Sequence, residues 1–327
     1  MKIKKPNSAV NGDIPRILVK EYPYLWAGPS TDIFNRIIQA SEWPVQWKVE
    51  NAIVLHKTSE PSQVKDANDV RTISKTKFLS KVLENLLGDW LLPLVDQYLD
   101  PGQCGGLKNT GIQHYLIKLL DFIHRGLDQR TPHAVVVAAI DLSKAYNRGS
   151  HQLVIEDLHS MHVPNWILAL LCSYLSSRSM VLKYQGTEAT PRQLPGGFGA
   201  GTWLGGFLFI VKFNSICLRP PVPRQLTGNS AMQVKYIDDS TKAATINLRG
   251  SLIPDTENRP FPLNIHERNQ MVINPNENIL QEELNKFYDE VKSNKLLINE
   301  KKSQIMVCNP SKNFVFPPES QLGHQGF

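Results

Sequence analysis

Two carboxylates stand side by side at the end of a short alternating stretch of the chain. Asp238 and Asp239 follow residues 232–237, which read Met-Gln-Val-Lys-Tyr-Ile. Apolar and polar residues alternate there, and this alternation predicts a β-strand. Two carboxylates at the junction of a strand and a turn can bind divalent cations through their oxygen atoms. Because Asp is also common in solvated turns, the pair alone does not decide between a cation site and a plain turn.

A third carboxylate, Asp141, ends a second apolar stretch. Residues 135–140 read Val-Val-Val-Ala-Ala-Ile, which predicts another strand. In two-metal phosphoryl transfer, carboxylates from separate elements hold two cations roughly 4 Å apart, and the cations bridge the attacking and leaving oxygens. Asp141, Asp238 and Asp239 therefore predict a site for two Mg²⁺ ions, or for Mn²⁺ in their place.

Hydrophobic periodicity and helix-breaking residues predict the elements that would position these carboxylates. Helices are predicted at residues 30–43, 78–98, 111–127, 151–161, 165–176, 203–217 and 280–294. Strands are predicted at residues 51–56, 135–141, 181–184, 232–237 and 304–308. Because helices and strands are intermixed without strict alternation, the predicted fold class is α+β.

Composition restricts the class of protein further. The 327 residues are 41% hydrophobic and 20% charged, which is typical of a globular protein. No apolar run of about eighteen residues is present and the basic start leads into no apolar stretch, so we expect neither a membrane span nor a signal peptide. The formal charge of +6 favours a polyanionic partner. The four cysteines are isolated in sequence, which predicts buried free thiols in a reducing, intracellular compartment (nuclear or cytoplasmic).

The residues around the three carboxylates resemble motifs of reverse transcriptases. Residues 141–148, Asp-Leu-Ser-Lys-Ala-Tyr-Asn-Arg, are similar to the first palm motif of these enzymes, and residues 236–240, Tyr-Ile-Asp-Asp-Ser, to their Tyr-X-Asp-Asp motif. From about residue 13 to residue 310 the chain resembles the polymerase region of non-LTR (LINE-type) retrotransposons. The resemblance implies an RNA-directed DNA polymerase that transfers deoxynucleotides to a primer 3′-hydroxyl. Its partners would be an RNA template, a DNA primer and deoxynucleoside triphosphates.

The resemblance also implies an architecture of polymerase fingers and palm, with a small antiparallel palm sheet. Little sequence follows residue 310, so we expect a truncated chain whose thumb is largely absent. We expect a poorly ordered N-terminal segment at residues 1–29 and a fingers-like region at residues 30–133. A palm-like core is expected at residues 134–310, with a flexible insertion at 248–278, and a disordered tail at 311–327.

Residues that contact the incoming nucleotide are implied by the same resemblance. Lys57 and Arg71 match cations that grip the triphosphate, Arg71 within Arg-Thr-Ile-Ser where the family usually reads Arg-Pro-Ile-Ser. Tyr146 matches the aromatic residue that excludes a 2′-hydroxyl, and backbone amides from Leu142 onward would contact phosphate. The alternative interpretations are solvated cations at strand ends for Lys57 and Arg71, and a core aromatic residue for Tyr146.

A glycine-dense loop is the weakest match to the family pattern Gly-X-Pro-Gln-Gly-Ser/Thr. Gly199 and Ala200 stand at the Pro-Gln positions, whereas Gly197, Gly201 and Thr202 fit the pattern. Glycine lets the backbone approach a base or a nucleotide closely, so Gly201 is predicted to bind nucleotide. A plain turn at the start of a helix is the competing interpretation, and the missing glutamine removes one expected contact.

Two further segments resemble family motifs. Residues 297–303, Leu-Ile-Asn-Glu-Lys-Lys-Ser, are similar to a later palm motif, and Lys302 falls on its lysine, a candidate general acid for the departing pyrophosphate. Lys301 and Lys302 would otherwise be solvated charges in a turn. Residues 103–107, Gln-Cys-Gly-Gly-Leu, resemble a Gln-X-Gly element of the fingers, which we interpret as a marker of the fold only.

Two other functions remain open at this point. The departure at Gly199 and Ala200 is compatible with a catalytically inactive relic of a retrotransposon that only binds nucleic acid or protein. The retained carboxylates and Tyr146 favour an enzyme over such a relic. An RNA-dependent RNA polymerase is the other alternative, and Tyr146 argues against it because an aromatic gate would exclude ribonucleotides.

Overall fold

The structure is a computed structural model that describes most of the chain. The described residues are 13–57, 70–129, 133–184, 186–199, 201–216, 230–247, 252–254, 271–273 and 279–308.

Nine α-helices, two short 3-10 helices (Val45–Trp47 and Asp96–Tyr98) and eleven strands lie within these described ranges. The helices are α1 (Arg16–Glu21), α2 (Pro23–Ala40), α3 (Phe78–Val95), α4 (Ile112–Leu127), α5 (Ala145–Arg148), α6 (His151–Ser160), α7 (Asn165–Leu175), α8 (Trp203–Asn214) and α9 (Ile279–Ser293). The strands are β1 (Val49–His56), β2 (Val70–Lys75), β3 (His133–Ile140), β4 (Ser179–Tyr184), β5 (Thr187–Glu188), β6 (Arg192–Gln193), β7 (Ala231–Tyr236), β8 (Asp239–Asn247), β9 (Leu252–Pro254), β10 (Met271–Ile273) and β11 (Gln304–Cys308). The predicted α+β class is confirmed.

The contacts of the chain divide it into two compact units. The first unit comprises Met1–Leu99 and Tyr146–Lys212, and the second comprises Asp100–Ala145 and Phe213–Phe327.

The first unit contains a sheet of strand order β2-β1-β4-β5, with β6 also paired to β4. β1 pairs antiparallel with β2 and parallel with β4. On α3, the side chains of Leu83, Leu87, Leu91 and Val95 recur every four residues and are fully buried. This spacing places them on one face of the helix, and burial of each large aliphatic side chain stabilises the fold by about 1.5–3 kcal/mol.

A buried group of charges also lies in the first unit. The Nε and Nη2 atoms of Arg178 donate to Glu50 Oε1 at 2.9 and 2.6 Å, and both side chains are at most 2% exposed. Glu84 on α3 is buried as well, and Ser80 Oγ donates to its Oε1 at 3.0 Å. Burial raises the pKa of Glu84 to about 7, even though Arg178 and Ser80 lower it. Glu84 can therefore keep its proton near neutral pH.

The second unit contains an antiparallel sheet of strand order β11-β3-β8-β7. Its inner strand β3 is buried along most of its length, which explains why residues 135–140 form a continuous apolar run. Helix α4 packs on one face of the sheet, where Ile123 joins a core cluster with Val135, Val137 and Ala243. Gly126 allows this approach, because a Cβ atom there would lie 2.5 Å from Val135 Cγ2.

Helix α9 is amphipathic, with one buried apolar face. Its residues Leu280, Leu284, Phe287 and Val291 are buried and follow the spacing of one helix face. The predicted helix at 280–294 and the predicted strand at 304–308 are therefore confirmed.

Several boundaries differ from the predictions. Helix α2 begins at Pro23 rather than at residue 30, because proline is well suited to the first helical position, and it continues through Pro29. Together with α1 it occupies part of the segment expected to be poorly ordered. Within the expected insertion 248–278, β9 and β10 pair with each other. The rest of that insertion and the tail 311–327 lie outside the described residues.

Two expectations from composition can be compared with the structure. No helix in the described ranges has the length and apolar character needed to cross a membrane. The described cysteines are free, and Cys104 is buried whereas Cys172 is exposed, so burial was predicted correctly for the first and wrongly for the second.

Candidate active site

The strand register of the second unit brings two of the three carboxylates together. Ile140, the last residue of β3, pairs with Ser240 of β8. Asp141 follows Ile140 and Asp239 precedes Ser240, so these two carboxylates are neighbours at one end of adjacent antiparallel strands. About a hundred residues of sequence separate them, and only the sheet order makes them neighbours.

The third carboxylate lies in the turn between β7 and β8. Tyr236 pairs with Asp239, which leaves Ile237 and Asp238 as the two turn residues. Ile237 has φ 60°, in the left-handed region that β-branched residues rarely adopt. Such a conformation costs about 1–3 kcal/mol and persists only when the surroundings hold it. The turn that carries Asp238 is therefore strained and needs support.

Asp141 is held by the segment that follows α9. Asn299 Nδ2 donates to Asp141 Oδ2 at 2.8 Å, and the Asn299 amide donates to the carbonyl oxygen of Asp141, also at 2.8 Å. The Asp141 amide donates to Ser303 Oγ at 3.3 Å. Lys302 Nζ lies 3.8 Å from Asp141 Oδ2, and its side chain is 66% exposed. The segment predicted from its motif thus lies beside Asp141, as a catalytic role of Lys302 would require.

The charges of the three carboxylates influence each other. Burial raises the pKa of Asp238 above its usual range, its own backbone amide lowers it, and the charges of Asp239 and Asp141 raise it again. Desolvation by neighbouring atoms also raises the pKa of Asp239, although that side chain is exposed, and Asp141 adds to the increase. Lys302 lowers both pKa values. One exposed lysine therefore balances three carboxylates only in part.

This imbalance fits a divalent cation. Carboxylate oxygens are the ligands that Mg²⁺ prefers in proteins, and a cation would offset both the burial and the charge repulsion that raise the pKa values of Asp238 and Asp239. Among the described residues, no three side chains of Asp, Glu, His or Cys already form a metal-binding cluster. The donor types fit the ion, whereas the arrangement of all three carboxylates around it stays a prediction.

A cavity of about 360 Å³ adjoins the carboxylates within the second unit. Asp141, Asp239 and Lys302 line it together with the rings of Tyr115 and Tyr236. The two rings meet edge to face at 6.3 Å, and the Tyr115 hydroxyl is hydrogen-bonded to Thr241. The cavity therefore combines carboxylates, a cation and aromatic walls.

Sequence reasoning missed two residues of this site. Asn299 lies inside a segment that was recognised, but no role was assigned to it. Tyr115 lies on the half-buried side of α4, where helical spacing predicts a core residue and gives no signal of a site.

The predicted nucleotide-binding residues are divided between the units. Leu142 is buried in the second unit and pairs with Ile298. Lys57 is exposed and follows β1 in the first unit. Arg71 lies on β2 opposite Leu55, and its side chain is outside the described structure. Their contact with a nucleotide stays a prediction.

Tyr146 and the glycine loop lie in the first unit. The Tyr146 ring is half-buried and stacks on Phe209 at 4.9 Å between centroids. Its carbonyl oxygen accepts from the Phe198 amide at 2.7 Å. Gly197 and Gly201 have φ 88° and 99°, and a Cβ at Gly197 would lie 2.9 Å from the Tyr146 carbonyl oxygen. The loop thus has a structural role beside Tyr146, while nucleotide binding by Gly201 stays a prediction.

Comparison with known proteins bears on the chemistry of this site. No protein-family model matches the chain. Three polymerases of Drosophila melanogaster mobile elements are similar to it: the probable RNA-directed DNA polymerase from transposon BS (25% identical over 209 residues), the RNA-directed DNA polymerase from mobile element jockey (23% over 219) and the probable RNA-directed DNA polymerase from transposon X-element (24% over 218). The chain is similar to reverse transcriptases of non-LTR retrotransposons.

This similarity confirms the resemblance predicted from the motifs. The matches cover 63–65% of this chain but only 22–23% of each relative. The activity of those longer proteins therefore comes to this chain only as a proposal.

Proposed function

We propose that the chain is the core of an RNA-directed DNA polymerase. The observation that carries the proposal is the position of Asp141 beside Asp239, with Asp238 in the adjoining turn, in a chain similar to such polymerases. In this proposal the antiparallel sheet of the second unit is the palm, and the first unit supplies the fingers.

The reaction would be template-directed transfer of a deoxynucleotide to the 3′-hydroxyl of a DNA primer. The 3′-oxygen attacks the α-phosphorus in line, the bond to the bridging oxygen breaks, and pyrophosphate departs. Asp141, Asp238 and Asp239 would hold two Mg²⁺ ions, which when bound favour the attacking alkoxide and stabilise the negative charge that develops.

The other residues of the site would move or position groups. Lys302, with its ammonium 3.8 Å from Asp141 Oδ2, would donate a proton to the departing pyrophosphate. Asn299 would fix the orientation of the Asp141 carboxylate through its 2.8 Å hydrogen bond. Lys57, Arg71 and the Leu142 amide would contact the phosphates.

Selection of the sugar would fall to Tyr146. A rigid aromatic wall beneath the sugar excludes a 2′-hydroxyl, and stacking on Phe209 would give the ring that rigidity. Gly201 would let the backbone approach the nucleotide.

Primer extension on an RNA template tests the proposal. The wild-type chain is compared with an Asp238→Asn, Asp239→Asn variant, and Asp121→Asn, an exposed carboxylate on α4, is the matched control. We expect the wild-type chain to extend the primer with deoxynucleotides but not with ribonucleotides. The double variant should lose extension, and the Asp121→Asn control should extend the primer like the wild type. Extension that survives the double substitution would contradict the enzyme proposal.

One observation favours the second candidate function, a relic that binds nucleic acid without catalysis. A Cβ atom at Gly199 would lie 3.2 Å from Glu50 Oε1, so this position of the loop is packed on a buried carboxylate. It carries no side chain that could contact a nucleotide. Binding of RNA by the wild-type chain, without extension by any variant, would favour this function.

A further inference from the structure

The segment that was interpreted only as a fold marker lies against the strand that leads to the catalytic turn. The Cys104 amide donates to the Lys235 carbonyl at 2.8 Å, and the Lys235 amide donates to the Gly102 carbonyl at 2.9 Å. Gln103 and Lys235 thereby form an isolated parallel β-bridge along β7. Lys235, the bridge partner of Gln103, lies two residues before Ile237, the first residue of the turn.

The side chain of Gln103 reaches the backbone of the turn. It is 4% exposed, and its Oε1 accepts from the Ile237 amide at 3.0 Å and from the Gly105 amide at 3.1 Å. Its Nε2 donates to the Ile237 carbonyl oxygen at 3.3 Å. The oxygen and the nitrogen of the buried Gln103 amide are therefore both hydrogen-bonded to the backbone of Ile237.

Ile237 is the residue that needs this support. Its φ of 60° is unfavourable for a β-branched side chain, and it lies directly before Asp238. The close approach requires glycine at position 105, because a Cβ atom there would lie 2.7 Å from the Ile237 nitrogen. A side-chain amide that fixes both backbone groups of Ile237 restricts where the next residue, Asp238, can point.

We propose that Gln103 is a positioning residue that holds the turn of Ile237 and Asp238 in its left-handed conformation and so sets the geometry of the carboxylates. The inference rests on the proposed polymerase function and deepens it. Gln103 acts through the backbone of Ile237, and the catalytic groups remain the three aspartates.

The main test compares Gln103→Ala with Gln152→Ala, an exposed glutamine on α6. Residues that orient metal-binding groups typically contribute roughly 10–100-fold to activity. We expect kcat for primer extension to fall by that factor in Gln103→Ala, the Mg²⁺ concentration for half-maximal activity to rise, and KM for the nucleotide to change little. Gln152→Ala should match the wild type.

Rescue separates positioning from a general loss of structure. Glycine adopts positive φ without strain, so Ile237→Gly should recover part of the activity in the Gln103→Ala background. Activity of the double variant no higher than that of Gln103→Ala alone would contradict the role of the strained turn. Gly105→Ala, which keeps Gln103 but displaces the segment, should reproduce the defect, and Gly28→Ala, where an added Cβ meets nothing within 4 Å, should not.

Amide hydrogen exchange at Ile237 in the full chain gives a readout that needs no activity. Loss of the acceptor Oε1 should accelerate exchange of the Ile237 amide in Gln103→Ala. Unchanged exchange would overturn the proposed hold on the turn, and faster exchange with unaltered extension would overturn its effect on catalysis. A wild-type chain without extension would instead overturn the proposed polymerase function and the catalytic part of this inference, while the exchange result still decides whether Gln103 holds the turn.

Discussion

Each unit of the chain pairs a carboxylate with a basic side chain, but the two pairs differ in burial and in how closely the two charges approach each other. In the first unit, the guanidinium of Arg178 donates twice to Glu50 Oε1, and both side chains are buried. In the second unit, the only basic side chain paired with Asp141 among the described residues is Lys302, which is exposed and 3.8 Å away.

Under the proposed function, this difference separates a structural role of the first group from a catalytic role of the second. A buried carboxylate with its own internal cation is neutralised on folding and has no need of an external ion. In the second unit, burial and neighbouring carboxylates raise the pKa values of Asp238 and Asp239, and Asp141 and Asp239 line a cavity that an external cation could enter. The comparison can be tested by removing one charge at a time from either group.

The largest effect is expected from Asp141→Asn. We expect the rate of primer extension to fall at least about 10³-fold, or about 4 kcal/mol, because a ligand of both proposed ions is weakened. Thermal unfolding should occur at the same or a higher temperature, since one source of repulsion is removed. A variant with near wild-type extension would show that Asp141 has no part in catalysis.

The next effect concerns the buried pair of the first unit. Arg178→Met leaves the Glu50 carboxylate buried without its partner, so the free energy of unfolding should fall by about 3–5 kcal/mol. Lys302→Met, the matched change in the second unit, should alter it by less than about 1 kcal/mol because that lysine is exposed. Urea unfolding measures both. Equal losses in the two variants would remove the distinction between the two groups of acids.

The next effect is the contribution of Glu84 to the dependence of the free energy of unfolding on pH. Its pKa is raised from 4.5 to about 7 in the folded chain, so the folded state retains a proton that the unfolded state releases. The stabilisation is complete below pH 4.5 and is lost as pH rises towards 7, by about 3 kcal/mol in total.

The measurement is urea unfolding between pH 4.5 and 8. Glu84→Gln should remove this part of the pH dependence, and Glu156→Gln, an exposed glutamate on α6, should leave it in place. The same slope in Glu84→Gln and in the wild type would show that another group is responsible.

The smallest effect is expected from Asn299→Ala. The substitution removes the 2.8 Å hydrogen bond to Asp141 Oδ2 but leaves the carboxylate itself, so kcat should fall only about tenfold. Steady-state extension at saturating nucleotide measures this loss. A loss as large as that of Asp141→Asn would mean that Asn299 does more than orient the carboxylate.

The sequence predicted those parts of the site that depend on local pattern. The apolar runs before Asp141 and Asp238 correspond to β3 and β7, and the motif around Lys302 lies beside Asp141. The parallel pairing of β1 with β4 was not predicted, because the sequences of residues 49–53 and 179–183 do not indicate which strand each pairs with. Non-local pairing is decided by the whole fold.

Gln103 shows why single side chains escape sequence reasoning. Its hydrogen bonds to Ile237 join residues more than a hundred positions apart, and the sequence around Gln103 does not indicate which residue it contacts. The available signal was the pair of flanking glycines, Gly102 and Gly105, since glycine often marks a close backbone approach.

Binding of the same divalent cations by Asp141, Asp238 and Asp239 is tested most directly by metal-directed cleavage of the chain. Fe²⁺ substituted for Mg²⁺ reduces added hydrogen peroxide to hydroxide and a hydroxyl radical, added ascorbate returns the resulting Fe³⁺ to Fe²⁺, and the radicals cut the backbone near the bound ion. We predict cuts near both Asp141 and Asp238 in the wild-type chain, suppression by excess Mg²⁺, and no cuts in the Asp238→Asn, Asp239→Asn variant. Cuts at only one of the two segments, or cuts that persist in the variant, would contradict a shared cation site.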